Sequence, residues 1–223
     1  AVAARWRAWL HVKRVQRPIV VAIGGAPGVG KSTIATRLAM RLEITHIVTT
    51  DTIREALRTV IPSAVLPELH ASSFELVRHE TALPFSGFDR QSEAVGAATN
   101  AVVARLCAEH RPSVIEGIHA APGFLSRTIG GHPTKPIVIE RLMVEPNVEL
   151  HRQRLAHRSH AEPLRRGDRG LAEFPTIRAI QAHLIEQAEA NDVTVVDSSG
   201  LGELTQSIVD EIVSSSGGDD DVT

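Results

Sequence analysis

A glycine-rich segment of the chain carries the residue types that hold the phosphates of a nucleotide. Residues 25–32 read Gly-Ala-Pro-Gly-Val-Gly-Lys-Ser and match G-x-x-x-x-G-K-[ST] in full. Such a loop turns backbone N–H groups toward a β-phosphate at the start of a helix. The lysine bridges the β- and γ-phosphates, and the serine hydroxyl binds Mg²⁺. We therefore predict ATP and Mg²⁺ as cofactors, held by Gly25, Ala26, Pro27, Gly28, Val29, Gly30, Lys31, Ser32 and Thr33.

An acid and an arginine follow the predicted second strand. Asp51 stands at the carboxyl end of that strand, the edge where open α/β sheets bind their ligands. It could accept the proton of an attacking hydroxyl group or hold a magnesium-bound water, and its position also suits the N-cap of the next helix. Arg54, three residues on, projects from the same helical turn and is predicted to face an anionic acceptor. Lys31 and Asp51 are thus predicted to be catalytic.

Another acid ends the predicted third strand. The sequence Val-Ile-Glu-Gly at 114–117 resembles the strand end that carries the second acid of P-loop enzymes. Such an acid contacts Mg²⁺ through water or orients the acceptor, so the predicted metal ligands are Ser32, Asp51 and Glu116. His119, in the loop that follows, could bind an acceptor phosphate or could instead stabilise the loop, and the sequence favours neither.

Six arginines crowd the segment between the predicted fourth strand and the next helix, namely Arg152, Arg154, Arg158, Arg165, Arg166 and Arg169. In a kinase that acts without a partner protein, the arginines over the γ-phosphate come from the same chain, usually from a lid. A guanidinium group stabilises the charge that the transition state spreads over the transferred group. We predict that Arg154 and Arg158 are catalytic and that Arg165 and Arg166 contact substrate. A solvated basic helix face is the alternative.

Short β-branched runs alternate with longer helical patterns, which is typical of a parallel sheet covered by helices. The predicted strands are residues 18–23, 44–49, 113–116, 136–144 and 193–196. We predict an α/β, three-layer P-loop fold with a five-stranded parallel sheet, of the nucleoside-monophosphate-kinase type, with an arginine-rich lid.

Apolar residues at helical spacing predict the buried faces of the helices. These residues are Ile34, Leu38 and Leu42, then Ile53, Leu57 and Val60, then Val95, Val102 and Leu106 of a long helix at 91–110. Residues 62–90, with three prolines, are predicted to be an irregular insertion over the sheet edge. The last helix is predicted to end near Ser214.

Composition and charge are those of an ordinary soluble globular protein, with 43% hydrophobic and 22% charged residues. The net charge of −2 argues against nucleic-acid and membrane-surface partners. Cys107 is the only cysteine, so no intramolecular disulfide can form. It is predicted to be buried. We expect a cytoplasmic monomer or homodimer with an arm or helix at 1–17, a P-loop kinase domain at 18–214 and a disordered tail at 215–223.

The order of these motifs resembles that of the archaeal-type 2-phosphoglycerate kinases, within the P-loop small-molecule kinase group. The resemblance covers most of the chain and rests on four segments, residues 23–32, 50–58, 71–74 and 114–123. It implies ATP-dependent phosphorylation of 2-phosphoglycerate at its 3-hydroxyl group, giving 2,3-bisphosphoglycerate. For this small phosphorylated acid, the implied ligands are Arg54, Arg58, Ser72, Ser73, Arg90 and His119. Asp51, Glu116, Arg165 and Arg166 are also predicted to bind the substrate.

Two other functions fit the nucleotide motif. One is a P-loop kinase for a different hydroxyl acceptor, such as a sugar, an antibiotic or a nucleotide. The other is an ATP-dependent regulatory switch that transfers nothing, which predicts slow hydrolysis that no acceptor stimulates. The pair Asp51 and Arg54 and the loop from Glu116 to His119 have no obvious purpose in such a switch, which favours a kinase.

Overall fold

The computed structural model describes residues 17–79, 85–129, 131–161 and 171–216. Residues 1–16 of the predicted arm, residues 217–223 of the predicted tail, Arg165 and Arg166 lie outside the described residues. The strands are β1 Ile19–Gly25, β2 His46–Thr49, β3 Ser113–Gly117, β4 Ile137–Val144 and β5 Thr194–Asp197. The helices are α1 Lys31–Leu42, α2 Thr50–Val60, α3 Ser73–His79, α4 Ser86–Ala108, α5 Ser126–Ile129, α6 Val148–Ala161, α7 Phe174–Ala190 and α8 Leu201–Ser216, with a 3₁₀ helix at Pro67–His70.

The five strands form one parallel sheet in the order β2-β3-β1-β4-β5. The central strand β1 is buried along its whole length, as expected of an unbroken apolar run in a parallel sheet. Because all the strands run the same way, their carboxyl ends meet at one edge. At that edge Glu116 of β3 lies between Ile23 of β1 and Thr49 of β2. The predicted parallel sheet is confirmed.

Helices cover both faces of the sheet, which gives the three predicted layers. Helices α1 and α8 pack on one face, and α4 and α7 pack on the other. Their buried contributions include Leu38 of α1, Ile208 of α8, Val103 of α4 and Leu184 of α7. Cys107, on the inner face of α4, is buried as predicted. Among the described residues, no helix is long and apolar enough to cross a membrane.

Two residues that we predicted to face inward, Val60 and Val102, are exposed instead. Val60 is 73% exposed, because α2 is fully buried only at Thr50 in its first turn and Val60 is its last residue. Val102 is 38% exposed, because the buried stripe of α4 runs through Thr99 and Val103 and leaves Val102 at its margin.

The segment 62–90 is more regular than predicted. It holds the 3₁₀ helix and α3, and α4 already begins at Ser86. Pro67 is the first residue of the 3₁₀ helix, where its missing N–H group is not needed. At the other end of the chain, α8 continues to Ser216, two residues past its predicted end.

Candidate active site

The P-loop, residues 25–32, connects β1 to α1. Gly25, Gly28 and Gly30 have positive φ angles of 143°, 85° and 94°, which favour glycine at each position. Lys31 is buried, and its Nζ donates a hydrogen bond to the carbonyl oxygen of Ala26 at 2.8 Å. The lysine side chain therefore lies folded along the loop, where the phosphates of a nucleotide would approach.

Ser32 and Glu116, both predicted metal ligands, lie together. Ser32 Oγ donates to Glu116 Oε1 at 3.2 Å, because β3 lies directly beside β1 in the sheet. A hydroxyl and a carboxylate are hard oxygen donors that suit Mg²⁺, which binds through one or two carboxylates, substrate phosphates and water. Among the described residues, no cluster of three or more His, Cys, Asp and Glu could hold a metal alone. The site thus fits Mg²⁺ that arrives with a nucleotide.

Asp51 lies in the first turn of α2 and leaves most of its carboxylate in solvent, with 62% of the side chain exposed. It is not the N-cap, so that alternative is wrong. The helix begins at Thr50, and Thr49 caps it by accepting a hydrogen bond at Oγ1 from the N–H group of Thr52. The carboxylate of Asp51 is therefore not needed to start the helix.

Gly117 allows α2 to start against the end of β3. A Cβ atom at this position would lie 1.8 Å from Oγ1 of Thr50, and the φ angle of 148° also disfavours other residues. The glycine after Glu116 therefore sets how closely Thr50, and with it Asp51, approaches the carboxyl end of β3.

His119 is buried beneath this edge, with 1% of its surface exposed. Its Nε2 lies 2.8 Å from Oε1 of Gln91, its Nδ1 lies 3.5 Å from Oγ1 of Thr50, and the carboxylate of Asp51 is 3.8 Å away. Nε2–H then donates to Gln91, and Nδ1 can accept from Thr50. This burial favours the loop-stabilising interpretation.

Burial also decides the charge of His119. The pKa of His119 falls from 6.5 to about 4, mainly because the buried ring loses its hydration. The nearby carboxylate of Asp51 raises the pKa, but the charges of Arg54 and Lys31 oppose that effect. The imidazole is therefore neutral near pH 7. A neutral ring carries no positive charge for an anionic acceptor.

We expect acid to destabilise the fold through His119. Between pH 6.5 and 4, His119 is protonated in the unfolded chain but remains neutral in the native protein. The free energy of unfolding therefore falls as the pH falls. The loss between pH 7 and pH 5 should be about 2 kcal/mol. Urea unfolding at both pH values should show this loss for the wild type and a smaller one for His119→Gln. Equal losses for the two proteins would contradict the burial argument.

Two of the predicted acceptor ligands hold the insertion between α2 and α4. Arg54 donates from NH1 to the carbonyl oxygens of Leu69 and Ala71, each at 3.0 Å. Ser73 donates from Oγ to Oε1 of Gln91 at 2.9 Å, which links α3 to the partner of His119. These contacts give both residues a structural role at the edge of the site.

Ser72 caps α3. Its Oγ accepts from the N–H group of Glu75 at 3.2 Å, and its own N–H group donates to Oε2 of Glu75 at 2.9 Å. This is a capping box, whose S-x-x-E signal is visible in the sequence at 72–75 and was missed.

Arg58 and Arg90 are more exposed and pair with carboxylates. Arg58 donates to Glu55 at 2.9 Å within α2. Arg90 donates from Nε to Glu68 at 2.7 Å and borders a cavity of about 310 Å³ with Ala71 and Gly87. Both guanidinium groups reach solvent, with 36% and 54% of their side chains exposed.

The described arginines of α6 have structural partners. Arg154 forms an ion pair with the buried Glu145 at 2.7 Å and also donates to Ser198. Arg152 lies over the ring of Phe174, 4.5 Å from its centroid. At Arg152 and Arg154, the basic face of α6 is therefore not simply exposed to solvent. A catalytic role for Arg154 would require its ion pair with Glu145 to open. The side chain of Arg158 lies outside the described residues.

Several residues that support the site carried no sequence signal. Gln91 positions His119, and Glu145 anchors Arg154. Each residue contacts a side chain that is distant in the sequence, so no local sequence pattern predicts its role.

Known proteins match this chain along most of its length. A family described as an AAA domain matches residues 20–184. The 2-phosphoglycerate kinase of Methanopyrus kandleri is 36% identical over 96% of this chain, and that of Pyrococcus horikoshii is 33% identical over 95%. The chain covers 66% and 69% of these two relatives, so it spans about two thirds of their length.

The fold also has solved counterparts. A gluconokinase from Sinorhizobium meliloti 1021 superposes with a TM-score of 0.50 at 14% identity, covering 89% of this chain and 94% of its own. At that identity the likeness concerns the fold alone, and it agrees with the P-loop architecture.

Proposed function

Because the chain belongs to the 2-phosphoglycerate kinase family, we propose that it transfers the γ-phosphoryl group of ATP to the 3-hydroxyl group of 2-phosphoglycerate. The observation that carries this proposal is the hydrogen bond from Ser32 to Glu116 beside the P-loop. It joins the nucleotide loop to an acid at the edge of the sheet, and Asp51 lies in the first turn of the neighbouring helix α2 at that same edge. A metal-dependent phosphoryl transfer needs these groups together.

In the proposed reaction, Asp51 accepts the proton of the 3-hydroxyl group while the hydroxyl oxygen bonds to the γ-phosphorus. The bond between the γ-phosphorus and the bridging oxygen breaks, and ADP leaves with that oxygen. Lys31 places a positive charge beside the phosphates, where negative charge develops. Mg²⁺, held by Ser32 and by Glu116 or a water bound to it, would neutralise further phosphate charge. Charge from Arg154 and Arg158 stays a prediction, as do Arg165 and Arg166 as substrate ligands.

The acceptor is a small anion, and the exposed arginines are its proposed ligands. Arg58 can exchange its exposed partner Glu55 for a carboxylate or phosphate, since exposed ion pairs contribute little to stability. Arg90 has an exposed guanidinium group beside the cavity, although its partner Glu68 is only 13% exposed. Arg54, Ser72, Ser73 and His119 are proposed to shape the acceptor site through the contacts described above.

Glu116→Gln should raise the Mg²⁺ concentration needed for half-maximal activity. The amide keeps a hydrogen-bond partner for Ser32 but removes the negative charge that favours the cation, and we expect a shift of about 10–100-fold. The measurement is ATP turnover against free Mg²⁺ at saturating ATP. Glu149→Gln, an exposed glutamate in the first turn of α6, is the matched control. An unchanged Mg²⁺ requirement in Glu116→Gln would remove Glu116 from the metal site.

The experiment that tests the proposed function is Mg²⁺-dependent release of ADP with 2-phosphoglycerate, 3-phosphoglycerate or glycerate as the acceptor. We expect strong stimulation by 2-phosphoglycerate alone. Stimulation by another compound would keep the phosphotransferase mechanism and change the acceptor. Slow ADP release that no acceptor stimulates would instead favour a nucleotide-dependent switch.

A further inference from the structure

The P-loop is held from outside by α6. His151 of α6 is fully buried, and its Nε2 lies 2.7 Å from the carbonyl oxygen of Pro27. Because a carbonyl oxygen can only accept a hydrogen bond, Nε2 must carry the proton. The contact joins residues 124 positions apart in the chain and connects α6 directly to the backbone of the P-loop.

Side chains of helix α6 pack directly against the backbone of the loop at Gly28. A Cβ atom on Gly28 would lie 2.8 Å from the side chain of Leu155 and 3.2 Å from Cδ2 of His151. Gly28 also has a positive φ angle of 85°. The loop is therefore packed against α6 with no space for a side chain at Gly28. Because the contact is close-packed, a small shift of α6 should displace the loop backbone as well.

A second set of contacts fixes the ring of His151 itself. Arg178 of α7 lies with NH1 3.5 Å from Nδ1 of His151 and also donates to the carbonyl oxygen of Glu145. The ring of Phe174 meets the imidazole edge to face, with centroids 5.6 Å apart. Arginine can only donate, so Nδ1 accepts, which agrees with a proton on Nε2.

The charge state agrees with the same arrangement. Burial lowers the pKa of His151, and although the Pro27 carbonyl and Glu145 act to raise it, the charges of Arg178 and Arg154 act in the same sense as burial. The imidazole is neutral, with one proton and one lone pair, and both ring nitrogens have partners.

We propose that His151 is a positioning residue for nucleotide binding, which holds the P-loop by donating its Nε2–H to the Pro27 carbonyl. In a planar trans peptide, the C=O of Pro27 and the N–H of Gly28 point in opposite directions. Anchoring the carbonyl toward α6 therefore directs the Gly28 N–H away from α6, to the side where the loop receives phosphate. This inference rests on the proposed ATP binding but not on the identity of the acceptor.

The test is ATP affinity, measured by calorimetric titration with MgATP, for His151→Leu and His151→Gln. Leucine removes the donor and leaves the Pro27 carbonyl without its partner, so ATP should bind about tenfold more weakly. Glutamine can place an N–H donor where Nε2 stands, so it should restore most of the affinity. In turnover, the loss for His151→Leu should fall mainly on the KM for ATP rather than on kcat.

Two results would overturn the proposal. One is unchanged ATP affinity in His151→Leu, and the other is an equal loss in both variants, which would indicate a packing role alone. If His151→Leu fails to fold, the wild-type protein still provides a test through the histidine ¹H–¹⁵N NMR spectrum. There we expect a neutral ring protonated at Nε2, and a proton on Nδ1 would contradict the geometry. Wild-type protein that binds ATP but ignores 2-phosphoglycerate would refute the proposed function and leave this inference standing.

Discussion

Replacing Lys31 with alanine should lower turnover by about 10²–10³-fold or more while leaving the fold intact. The side chain lies along the P-loop with its Nζ on the Ala26 carbonyl, where its charge can follow the phosphoryl group during transfer. Hydrogen bonds of this kind contribute only about 1 kcal/mol to stability, whereas a charge beside the transferred group acts mainly on the transition state. The measurement is steady-state turnover together with thermal unfolding.

Lys135→Ala is the matched control for this change. Lys135 precedes β4 at the opposite edge of the sheet from the P-loop, so its loss should leave turnover near the wild-type value. Near-normal turnover in Lys31→Ala would mean that the P-loop does not act on the phosphates as we describe.

Asp51→Asn should lower kcat by about 10²–10⁴-fold and change the affinity for ATP little. The carboxylate is mostly exposed, does not cap α2 and lies 3.8 Å from a neutral imidazole, so the amide should be tolerated structurally. An amide cannot accept the proton of the attacking hydroxyl group, which is why kcat should bear the effect. The measurement is kcat and the KM for ATP at saturating Mg²⁺ and acceptor.

Asp210→Asn, on the exposed surface of α8, is the control that changes the same charge away from the site. If Asp51→Asn weakened ATP or Mg²⁺ binding and left kcat unchanged, Asp51 would belong to the metal site and another group would be the base. The two roles proposed for Asp51 are thus separated by one pair of kinetic constants.

The fold could be predicted because its signals are local. A buried parallel strand is an unbroken apolar run, and the P-loop is a contiguous motif between that strand and a helix. Ser32 and Glu116 could also be placed close together in advance, because the P-loop that ends at Ser32 follows the carboxyl end of β1, Glu116 lies near the carboxyl end of β3, and parallel strands share that edge. The family resemblance is likewise confirmed by the relatives.

The details that failed depend on where a helix starts or which way it turns. The N-cap was assigned to Asp51 as one alternative because acids suit that position, but Thr49, two residues earlier, suits it equally and is the observed N-cap. The inward faces of α2 and α4 were misjudged at Val60 and Val102, since spacing gives the period of a stripe but not its limits.

Contacts between distant elements were beyond sequence reasoning. His151 reads as one more basic residue of a helical segment, yet it reaches the Pro27 carbonyl across the packed interface of α6 with the P-loop. Arg154 was predicted from its charge alone, whereas its ion pair with Glu145 depends on the fold bringing β4 and α6 together. Charge indicates which residues can bind an anion, and the fold decides which of them already have a partner.

The ³¹P NMR spectrum of a reaction with ATP, Mg²⁺, 2-phosphoglycerate and a catalytic amount of the protein tests the central claim most directly. We expect ATP to disappear as ADP and a second phosphomonoester signal of a bisphosphorylated glycerate grow in equal amounts, with little inorganic phosphate. Production of inorganic phosphate in place of that second phosphomonoester, or no loss of ATP, would contradict phosphoryl transfer to 2-phosphoglycerate.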